Sequence, residues 1–566
     1  MTKYIDWSKV LLEFQKPGRY LGTEWNAYKC KNDTSKVLLC YPDDYSIGMS
    51  SLGFHMVCNI VNNSEGFSCE RCFAPDPVME EWMRKDEIKL FSLESKTPAA
   101  EFDIIGFSFQ YELSYTNFIN MLDLSGIEVQ RKDRSIDAPL IIGGGPCCSN
   151  PGIIMDFLDI ICIGEAEIIL PVLLKLYREI PEREIFLKKA ALLKGVFVPQ
   201  ENNAVEIAAA GELNNEYYPV DFPVSLVDIP HNRINIEINR GCKGSCRFCK
   251  AAVLYGPYRQ RSRNDIIELA VKSVALTGHS EIALTSLSAT DHSSLEHIMD
   301  DLHFSLRDLG VSVLMSSMKP SSFVEGLSDR MTRLKKGGIT LAPECASERL
   351  KNILNKNVNN DEVVQAAMIA AKKGWKRIKL YFMIGIPGET MDDIYGIIDL
   401  IKEIKRKSQL DISATVNPLV PQPHTPFQWL VSQDPRELQY KYDVIKKNSP
   451  ANVKKFNCNK YIIENILSRS GKDQSGVLYS AWKNGAKYDQ WEEYFDFDRW
   501  IDALGENGYN WQDLYYRVFN IDDVLPWDFV ETCIKKDYMK KSYTMVLENL
   551  FSENSRNVKL NTNIVK

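Results

Sequence analysis

The sequence contains no hydrophobic run long enough to cross a membrane. A spanning helix needs ~20 consecutive apolar residues, and no stretch of the 566-residue chain approaches that length. The first residues, MTKYIDWSKVLLEF, also lack the apolar core and the small-residue cleavage site of a secretory signal peptide. We therefore expect a cytoplasmic protein that has no membrane partner.

A large excess of charge of one sign is also missing. The formal net charge is −7, with 25% charged and 45% hydrophobic residues, which is the composition of an ordinary globular protein. Broad nucleic-acid binding rests on phosphate neutralisation by basic side chains, so this balance argues against it. A local basic groove for a nucleic-acid substrate stays compatible with the sequence. The length predicts about two to four domains.

Fourteen cysteines are too few for a disulfide scaffold in so long a chain, but three of them are closely spaced. Cys242, Cys246 and Cys249 form the pattern C-x3-C-x2-C, with Phe248 directly before the third. A structural zinc site needs a fourth ligand, and no other cysteine or histidine lies near this loop in the sequence. Three thiolates suit a [4Fe–4S] cluster, whose fourth iron stays open to an external ligand. A zinc knuckle and three unrelated core cysteines are the alternatives.

Two other cysteine pairs are Cys69–Cys72 and Cys147–Cys148. A second metal site assembled from them would lack ligand-rich flanking residues. We favour the interpretation that they are buried and behave as small hydrophobic side chains.

Residues 36–200 alternate short apolar runs with helical patterns, which predicts a parallel, doubly wound sheet. In such sheets, ligands bind beyond the carboxyl ends of the strands. The candidate ligand-binding residues at these ends are Ser108, Gln110, Tyr111, Gly143, Gly144, Gly145, Gly164 and Glu165. Glycines allow the backbone to approach a bulky ligand closely. The alternative is that Gly143–Gly145 only turns a strand into a loop.

A second α/β array follows, and its first strand delivers the cysteine loop. Strands are predicted over 234–242, 281–287, 311–317, 337–344, 377–387 and 411–420. Barrels of alternating strands and helices carry their active sites at the carboxyl ends of the strands. The proline-rich segment 416–429 would be a rigid loop at this mouth, and we expect His424 and Gln428 to face the substrate. The alternative is that this segment has a structural role and holds neighbouring elements together.

The rest of the chain differs in character from these two arrays. Residues 441–551 are rich in tryptophan and tyrosine, and they predict helices that pack together and contribute to a cap over the barrel. The predicted organisation is a lead-in over 1–35, an α/β domain over 36–200, a linker over 201–230, a barrel over 231–440, a helical cap over 441–551 and a flexible tail over 552–566.

The cysteine loop, RGCKGSCRFCKAA, resembles the signature of the radical S-adenosylmethionine (SAM) superfamily. Together with GGGPCCSNP, LAPECASERLK, GIPGET and VNPLVPQPHTPFQW, it is similar to an uncharacterised family of radical SAM proteins that contain a B12-binding domain. The resemblance implies a Rossmann-type, B12-binding-like domain, a partial (β/α)6 TIM-type barrel and a C-terminal, mainly helical domain. It also implies that Cys242, Cys246 and Cys249 hold a [4Fe–4S] cluster, that SAM binds the open iron, and that a flavodoxin- or ferredoxin-type partner donates electrons.

The resemblance further implies a set of SAM contacts. They are Phe248, Ser286, Ser288, Ser316, Glu344, Arg349, Gly385, Ile386 and Pro387. The serines at 286 and 288 replace a glycine-glycine-glutamate turn that is frequent in the superfamily. For Arg349 the alternative is a partner on its own helix.

The first domain departs from the B12-binding pattern because it has no D-x-H-x-x-G motif to supply a cobalt ligand. Cobalamin would then meet a non-histidine group on its lower face, or none; His55 suits a packed histidine better than a ligand. The leading hypothesis is a radical SAM enzyme that transfers a methyl group from cobalamin to an unactivated carbon. One alternative is a B12-type domain that has lost its cofactor. Another is a cobalamin-independent radical reaction, which would be a cyclisation, a rearrangement or the modification of an RNA or peptide. A third is a non-catalytic iron–sulfur or B12-type sensor or accessory protein.

Overall fold

The computed structural model describes residues 7–31, 34–315, 318–322, 330 and 339–554. Its first part is a six-stranded sheet. The strands are β1 (Ser35–Tyr41), β2 (Phe67–Phe73), β3 (Ile104–Ser108), β4 (Leu140–Gly144), β5 (Ile160–Cys162) and β6 (Val196–Phe197). Their order in the sheet is β2-β1-β3-β4-β5-β6. The first five are parallel and β6 is antiparallel, so the predicted doubly wound domain is confirmed.

Helices cover both faces of this sheet, which explains why its strands are apolar on both sides. The longer ones are Leu52–Asn63, Pro77–Lys85, Tyr115–Ser125, Ala166–Glu179 and Arg183–Ala190. Local sequence sets their ends. The Ser51 side chain accepts from the amide of Phe54 at the start of the first helix, and Gly126, in the left-handed region, ends the third.

The C-x2-C pair of the first sheet is divided between two cores. Cys72 is the register partner of Cys40 and packs with it on one face, whereas Cys69 packs with Cys58 on the other. All four are buried. Because Cys69 and Cys72 face opposite ways, they cannot bind one metal ion together.

A short strand, β7 (Val205–Glu206), follows the first sheet and pairs with Val530–Glu531. The second part of the chain consists of parallel strands with crossover helices. Its strands are β8 (Ile234–Glu237), β11 (Glu281–Thr285), β12 (Ser312–Met315), β13 (Ile339–Glu344), β14 (Arg377–Ile384), β15 (Asp411–Pro418) and β16 (Asn452–Val453). They form the ladders β12-β11-β8 and β13-β14-β15-β16. The main helices between them are Arg263–Thr277, Leu295–Leu306, Glu348–Leu354, Asn360–Lys372 and Met391–Ser408. The predicted partial (β/α) barrel is therefore confirmed, and the added β16 pairs with β15.

Burial alternates along the barrel strands. In β14, Ile378, Leu380 and Phe382 are buried, while Lys379 and Tyr381 are half-buried. Alternate residues of a barrel strand point to opposite sides, so the buried set faces the helices and the half-buried set faces the interior. Lys379 lies over the Tyr381 ring, 5.0 Å from its centroid. The barrel interior is consequently polar and accessible rather than filled with aliphatic side chains.

The C-terminal helices are Pro435–Asn448, Cys458–Arg469, Ser475–Lys483, Phe497–Glu506, Trp511–Tyr515 and Lys536–Asn554. The helix Ser475–Lys483 docks on the helix Tyr115–Ser125 of the first part, where Trp482 Nε1 donates to Asn120 Oδ1 at 3.1 Å. In the loop that follows, buried Asp489 accepts from Thr116 at 3.0 Å. The last helix returns to the barrel, where Arg247 of the cysteine loop donates to Ser542 at 2.9 Å. In the described part of the chain, no helix is long and apolar enough to span a membrane.

Candidate cofactor site

The cysteine loop lies between two short strands, β9 (Asn239–Arg240) and β10 (Arg259–Gln260), which pair antiparallel. Gly241 has φ +82°, and a Cβ at this position would lie 2.7 Å from the carbonyl oxygen of Tyr255. Only glycine fits such a position. The loop is then held by backbone hydrogen bonds, including Arg247 N to Leu354 O at 2.9 Å.

The three thiols of the loop are half-buried, and none is in a disulfide. The Gly244 amide donates to Cys242 Sγ at 3.3 Å. Burial raises the pKa of Cys246 to about 11, while the Lys356 ammonium opposes this shift. Among the described residues, no three His, Cys, Asp or Glu side chains already surround a position for a single metal ion. Three half-buried thiols on one loop, with an amide directed at a sulfur, are a donor set that suits a [4Fe–4S] cluster.

Glu344 ends β13 in a strained conformation beside this loop. It has φ +65° and follows an irregularity in the β13–β14 register. A non-glycine residue adopts this region at a cost, and such strain concentrates at functional sites. Its Oε1 lies 3.0 Å from Lys356 Nζ, and burial raises the pKa of Glu344. Asn355, directly before Lys356, donates to the Ser245 carbonyl oxygen of the cysteine loop at 2.9 Å, so the Glu344–Lys356 pair lies beside this loop.

The serines after β11 are tied to the strand that leads into the cysteine loop. Ser286 Oγ donates to Asn239 Oδ1, and the Ser288 amide donates to Ser286 Oγ at 2.8 Å. Asn239 Nδ2 in turn donates to the Ser288 carbonyl at 3.2 Å. Ser316, the remaining serine predicted to contact SAM, lies outside the described residues.

Arg349 is bonded to the glycine-proline loop and to the start of the helix that follows it. It donates to the Gly388 carbonyl at 3.0 Å and to Asp393 at 2.6 Å. Gly385 has φ +78° and its amide donates to Glu389 at 2.9 Å. These contacts fix the loop that contains Ile386 and Pro387.

Phe248 and Ile386 belong to one apolar cluster, which joins the cysteine loop to the glycine-proline loop. Other members of this cluster are Cys345, Leu350, Leu419 and Phe427, with Val546 from the last helix. The structure therefore brings the predicted loops together at the carboxyl ends of β8, β13, β14 and β15.

A cavity of about 340 Å³ lies at the carboxyl ends of the first sheet. The space between its walls, including the open mouth, is about 1400 Å³. Seven of the eight residues predicted at these strand ends line it: Ser108, Gln110, Gly143, Gly144, Gly145, Gly164 and Glu165. The eighth, Tyr111, instead donates its hydroxyl to Glu464 at 2.9 Å.

The glycines of this cavity have different roles. A Cβ on Gly145 would lie 2.5 Å from the Phe109 carbonyl oxygen, and one on Gly164 would lie 2.1 Å from that of Ala208. Both have positive φ, so the fold itself requires glycine at these two positions. At Gly144, the nearest atom to an added Cβ is Cys162 Cβ at 3.8 Å. Glycine there leaves open space in the cavity.

The barrel supplies part of the cavity wall, which sequence reasoning did not anticipate. Glu237, Arg240, Leu254 and Tyr255 line it from the cysteine-loop side. Arg240 opens the RGCKGSCRFCKAA motif, but the motif does not predict that it lines the cavity, and no motif marks the other three. Their position depends on how the two parts of the chain pack. The cavity and the cysteine loop consequently share a wall.

Histidine is absent from the described residues that line the cavity. The His55 ring nitrogen Nε2 lies 3.0 Å from the Met49 carbonyl oxygen, and burial lowers the pKa of His55 to about 4. His55 is thus a packed histidine on the other side of its helix.

His424 and Gln428 fasten the proline loop to its surroundings. His424 Nε2 lies 2.8 Å from the Ser149 carbonyl oxygen of the first domain, and Gln428 accepts from the Trp527 indole at 2.7 Å. Both are buried, and neither is among the residues that line the cavity. Contact of these two with substrate stays a prediction.

These features define a class of α/β enzyme with two adjoining sites. One is a cysteine loop on the barrel, suited to an iron–sulfur cluster, and the other is a ligand cavity in the doubly wound domain. Two family models match the chain, "Radical SAM proteins, N-terminal" over residues 53–199 and "Radical SAM superfamily" over residues 236–401. The chain belongs to the radical SAM superfamily, as the cysteine loop predicted.

Two curated relatives differ in how much of the chain they match. An uncharacterised protein of Methanocaldococcus jannaschii is 29% identical over 447 residues, which cover 78% of this chain and 90% of that protein. The ribosomal protein uS12 methylthiotransferase RimO of Leptospira biflexa is 28% identical over 182 residues, covering 30% of this chain and 39% of RimO. The chain therefore aligns with less than half of RimO.

Two solved structures share the fold over most of the chain. The radical SAM methyltransferase TsrM of Kitasatospora setae, solved with cobalamin and a [4Fe–4S] cluster, has a TM-score of 0.51 at 13% identity, covering 70% of this chain and 74% of TsrM. The cobalamin-dependent SAM radical enzyme OxsB, solved with aqua-cobalamin and SAM, has a TM-score of 0.50 at 14% identity, covering 94% and 82%. At these identities the likeness establishes the fold.

Proposed function

We propose that this radical SAM enzyme binds cobalamin in the cavity of its first domain and methylates an unactivated carbon of its substrate. The observation that carries the proposal is the wall shared between the cavity and the cysteine loop. Two cofactors that act on one substrate must lie close to each other and to a common space. Glu237, the half-buried last residue of the barrel strand β8, lines this cavity.

The residues of the chain would divide the work as follows. Cys242, Cys246 and Cys249 hold the cluster, which, with SAM bound, supplies a radical able to abstract hydrogen from carbon. Glu344 now pairs with Lys356, and its carboxylate would leave this pair to accept from the SAM ammonium or ribose. The rigid Gly385–Pro387 loop offers backbone atoms to the adenine ring. An external donor of the flavodoxin or ferredoxin type supplies electrons.

The cavity fits a bulky, amide-rich ligand. Gly144 leaves backbone uncovered, and Ser108 and Gln110 offer a hydroxyl and an amide at the rim. Since no described histidine lines the cavity, the lower face of cobalamin would meet a non-histidine group or none. That same feature favours the second candidate, a radical SAM reaction that uses no cobalamin.

The decisive experiment is to isolate the protein anaerobically from cells supplied with hydroxocobalamin. We expect cobalamin to co-purify with the protein and to show its absorbance bands. We also expect S-adenosylhomocysteine to form when the reduced protein receives SAM and a cell extract as the source of substrate. Protein that carries a complete cluster but takes up no cobalamin would refute methyl transfer from cobalamin and support the second candidate.

A further inference from the structure

An ion network joins the first domain to the cysteine loop along one wall of the cavity. Arg240 ends β9 directly before Gly241 of the cysteine loop, and its Nη1 lies 3.0 Å from Glu165 Oε2 and 2.6 Å from Glu167 Oε1. Its Nε and Nη2 donate to the two carboxylate oxygens of Glu237 at 2.9 and 2.8 Å. Arg240 therefore binds three carboxylates, two from the first domain and one from the barrel.

Arg259 completes the network from the neighbouring strand. It is the register partner of Arg240, and its Nη1 and Nη2 donate to the two oxygens of Glu165 at 3.0 and 2.8 Å. A bidentate pair fixes orientation as well as distance. The side chains of Glu165, Arg240 and Arg259 are only 5%, 9% and 6% exposed, so salt screens these pairs weakly.

The network is coupled tightly to the cluster ligands. Arg259 also donates to the Tyr255 and Pro257 carbonyl oxygens at 2.9 and 2.8 Å. The Tyr255 carbonyl oxygen is also the closest atom to a Cβ built on Gly241, at 2.7 Å. A displacement of Arg240 or Arg259 would thus also shift Cys242, because the backbone between them is closely packed.

We propose that Glu165 and Arg240 are positioning residues that fix the cysteine loop relative to the ligand cavity. Glu165 is one of the predicted ligand-binding residues that line the cavity, and its two oxygens accept from Arg259, Arg240 and the Ala210 amide. A ligand that touches the Gly164–Glu167 segment acts on the loop through these pairs. By thermodynamic linkage, binding of the cluster and SAM changes the affinity of the cavity for its ligand by the same factor. The identity of both ligands rests on the proposed function.

Amide hydrogen exchange on the full-length, cluster-free protein tests the positioning role directly. Glu165→Gln removes the charge but keeps the shape, and we expect exchange over residues 239–249 to accelerate by about tenfold or more, as for a locally destabilised segment. Glu206→Gln is the matched control, since its pair with Lys194 at 2.7 Å is on the surface, and it should leave this exchange unchanged. Equal exchange in the wild type and Glu165→Gln would overturn the proposal.

Reconstituted protein gives a second readout. We expect Glu165→Gln to retain its iron but bind SAM about tenfold more weakly, measured by the change that SAM causes in the electron paramagnetic resonance of the reduced cluster. Glu167→Gln, a milder change, should act in the same direction and replaces Glu165→Gln if that variant does not fold. The double variant Glu165→Gln/Arg240→Gln should lose less than the sum of the single losses.

Unchanged SAM affinity, or strictly additive losses, would contradict a shared positioning network. These results are distinguishable from failure of the proposed function. If wild-type protein takes up no hydroxocobalamin, the cobalamin assignment is wrong, while the exchange experiment still decides whether Glu165 holds the loop.

Discussion

Replacing Gly144 with leucine should fill the cavity without disturbing the fold. A Cβ at this position meets only Cys162 Cβ, at 3.8 Å, which is ordinary van der Waals contact, and φ is not in the left-handed region. The longer side chain must therefore extend into a cavity of about 340 Å³. Overpacking of a well-formed site typically costs about 1–3 kcal/mol, which corresponds to about 5- to 150-fold in affinity.

We therefore expect Gly144→Leu to bind hydroxocobalamin about 5- to 150-fold more weakly than wild type, by titration of its visible absorbance. The melting temperature of the cobalamin-free protein should stay the same or rise, because glycine destabilises strands. Gly211→Leu is the control, since nothing lies within 4 Å of its added Cβ and it does not line the cavity. Unchanged affinity in Gly144→Leu, with a folded protein, would show that cobalamin binds elsewhere.

Three further predictions concern the cluster, the core and the pH dependence of stability. Alanine at Cys242, Cys246 or Cys249 should abolish the uptake of about four irons per chain, whereas Cys30→Ala should not; iron retained by a loop variant contradicts the ligand assignment. Arg71 is fully buried and lies 2.9 Å from Glu24 and 2.6 Å from Glu94, so Arg71→Ala should lower the free energy of unfolding by about 3–5 kcal/mol in urea. Arg84→Ala, whose side chain is 44% exposed, should lower it by about 1 kcal/mol or less, and equal losses would refute this reasoning. Burial, reinforced by the Glu112 charge, raises the pKa of Glu464 to about 7. The native state therefore binds more protons than the unfolded chain, so the free energy of unfolding falls as the pH rises toward 7. Glu464→Gln should remove that loss of stability. If the free energy of unfolding of Glu464→Gln differs between pH 5 and pH 7.5 by as much as that of the wild type, this prediction is wrong.

The fold class was predictable because local patterns carry it. Apolar runs that end in glycine or polar residues mark β3, β4 and β5, and the strand before Cys242 places the loop at a barrel mouth. The cavity followed from one topological rule, since parallel strands bring their carboxyl ends to the same edge. For this reason residues from three different strands, such as Ser108, Gly144 and Glu165, were predicted on one wall.

The contacts between distant segments were not predictable. Tyr111 follows β3 like its neighbours, but it turns to Glu464, which lies 353 positions further along the chain. The sequence predicts that Arg349 contacts SAM or a partner on its own helix. In the structure, Arg349 donates to the carbonyl oxygen of Gly388, in a different loop. The pairing of Arg240 with Glu165 has no local signature either, because charge complementarity across a domain interface is specified only when both domains are folded.

SAM cleavage by anaerobically reconstituted protein tests the assignment of radical SAM chemistry most directly. Reduced wild-type protein, supplied with SAM, should form 5′-deoxyadenosine or S-adenosylhomocysteine, and Cys246→Ala should form neither. Failure of the wild type to form either product, with its iron complete and any physiological electron donor supplied, would contradict that assignment and favour a non-catalytic role.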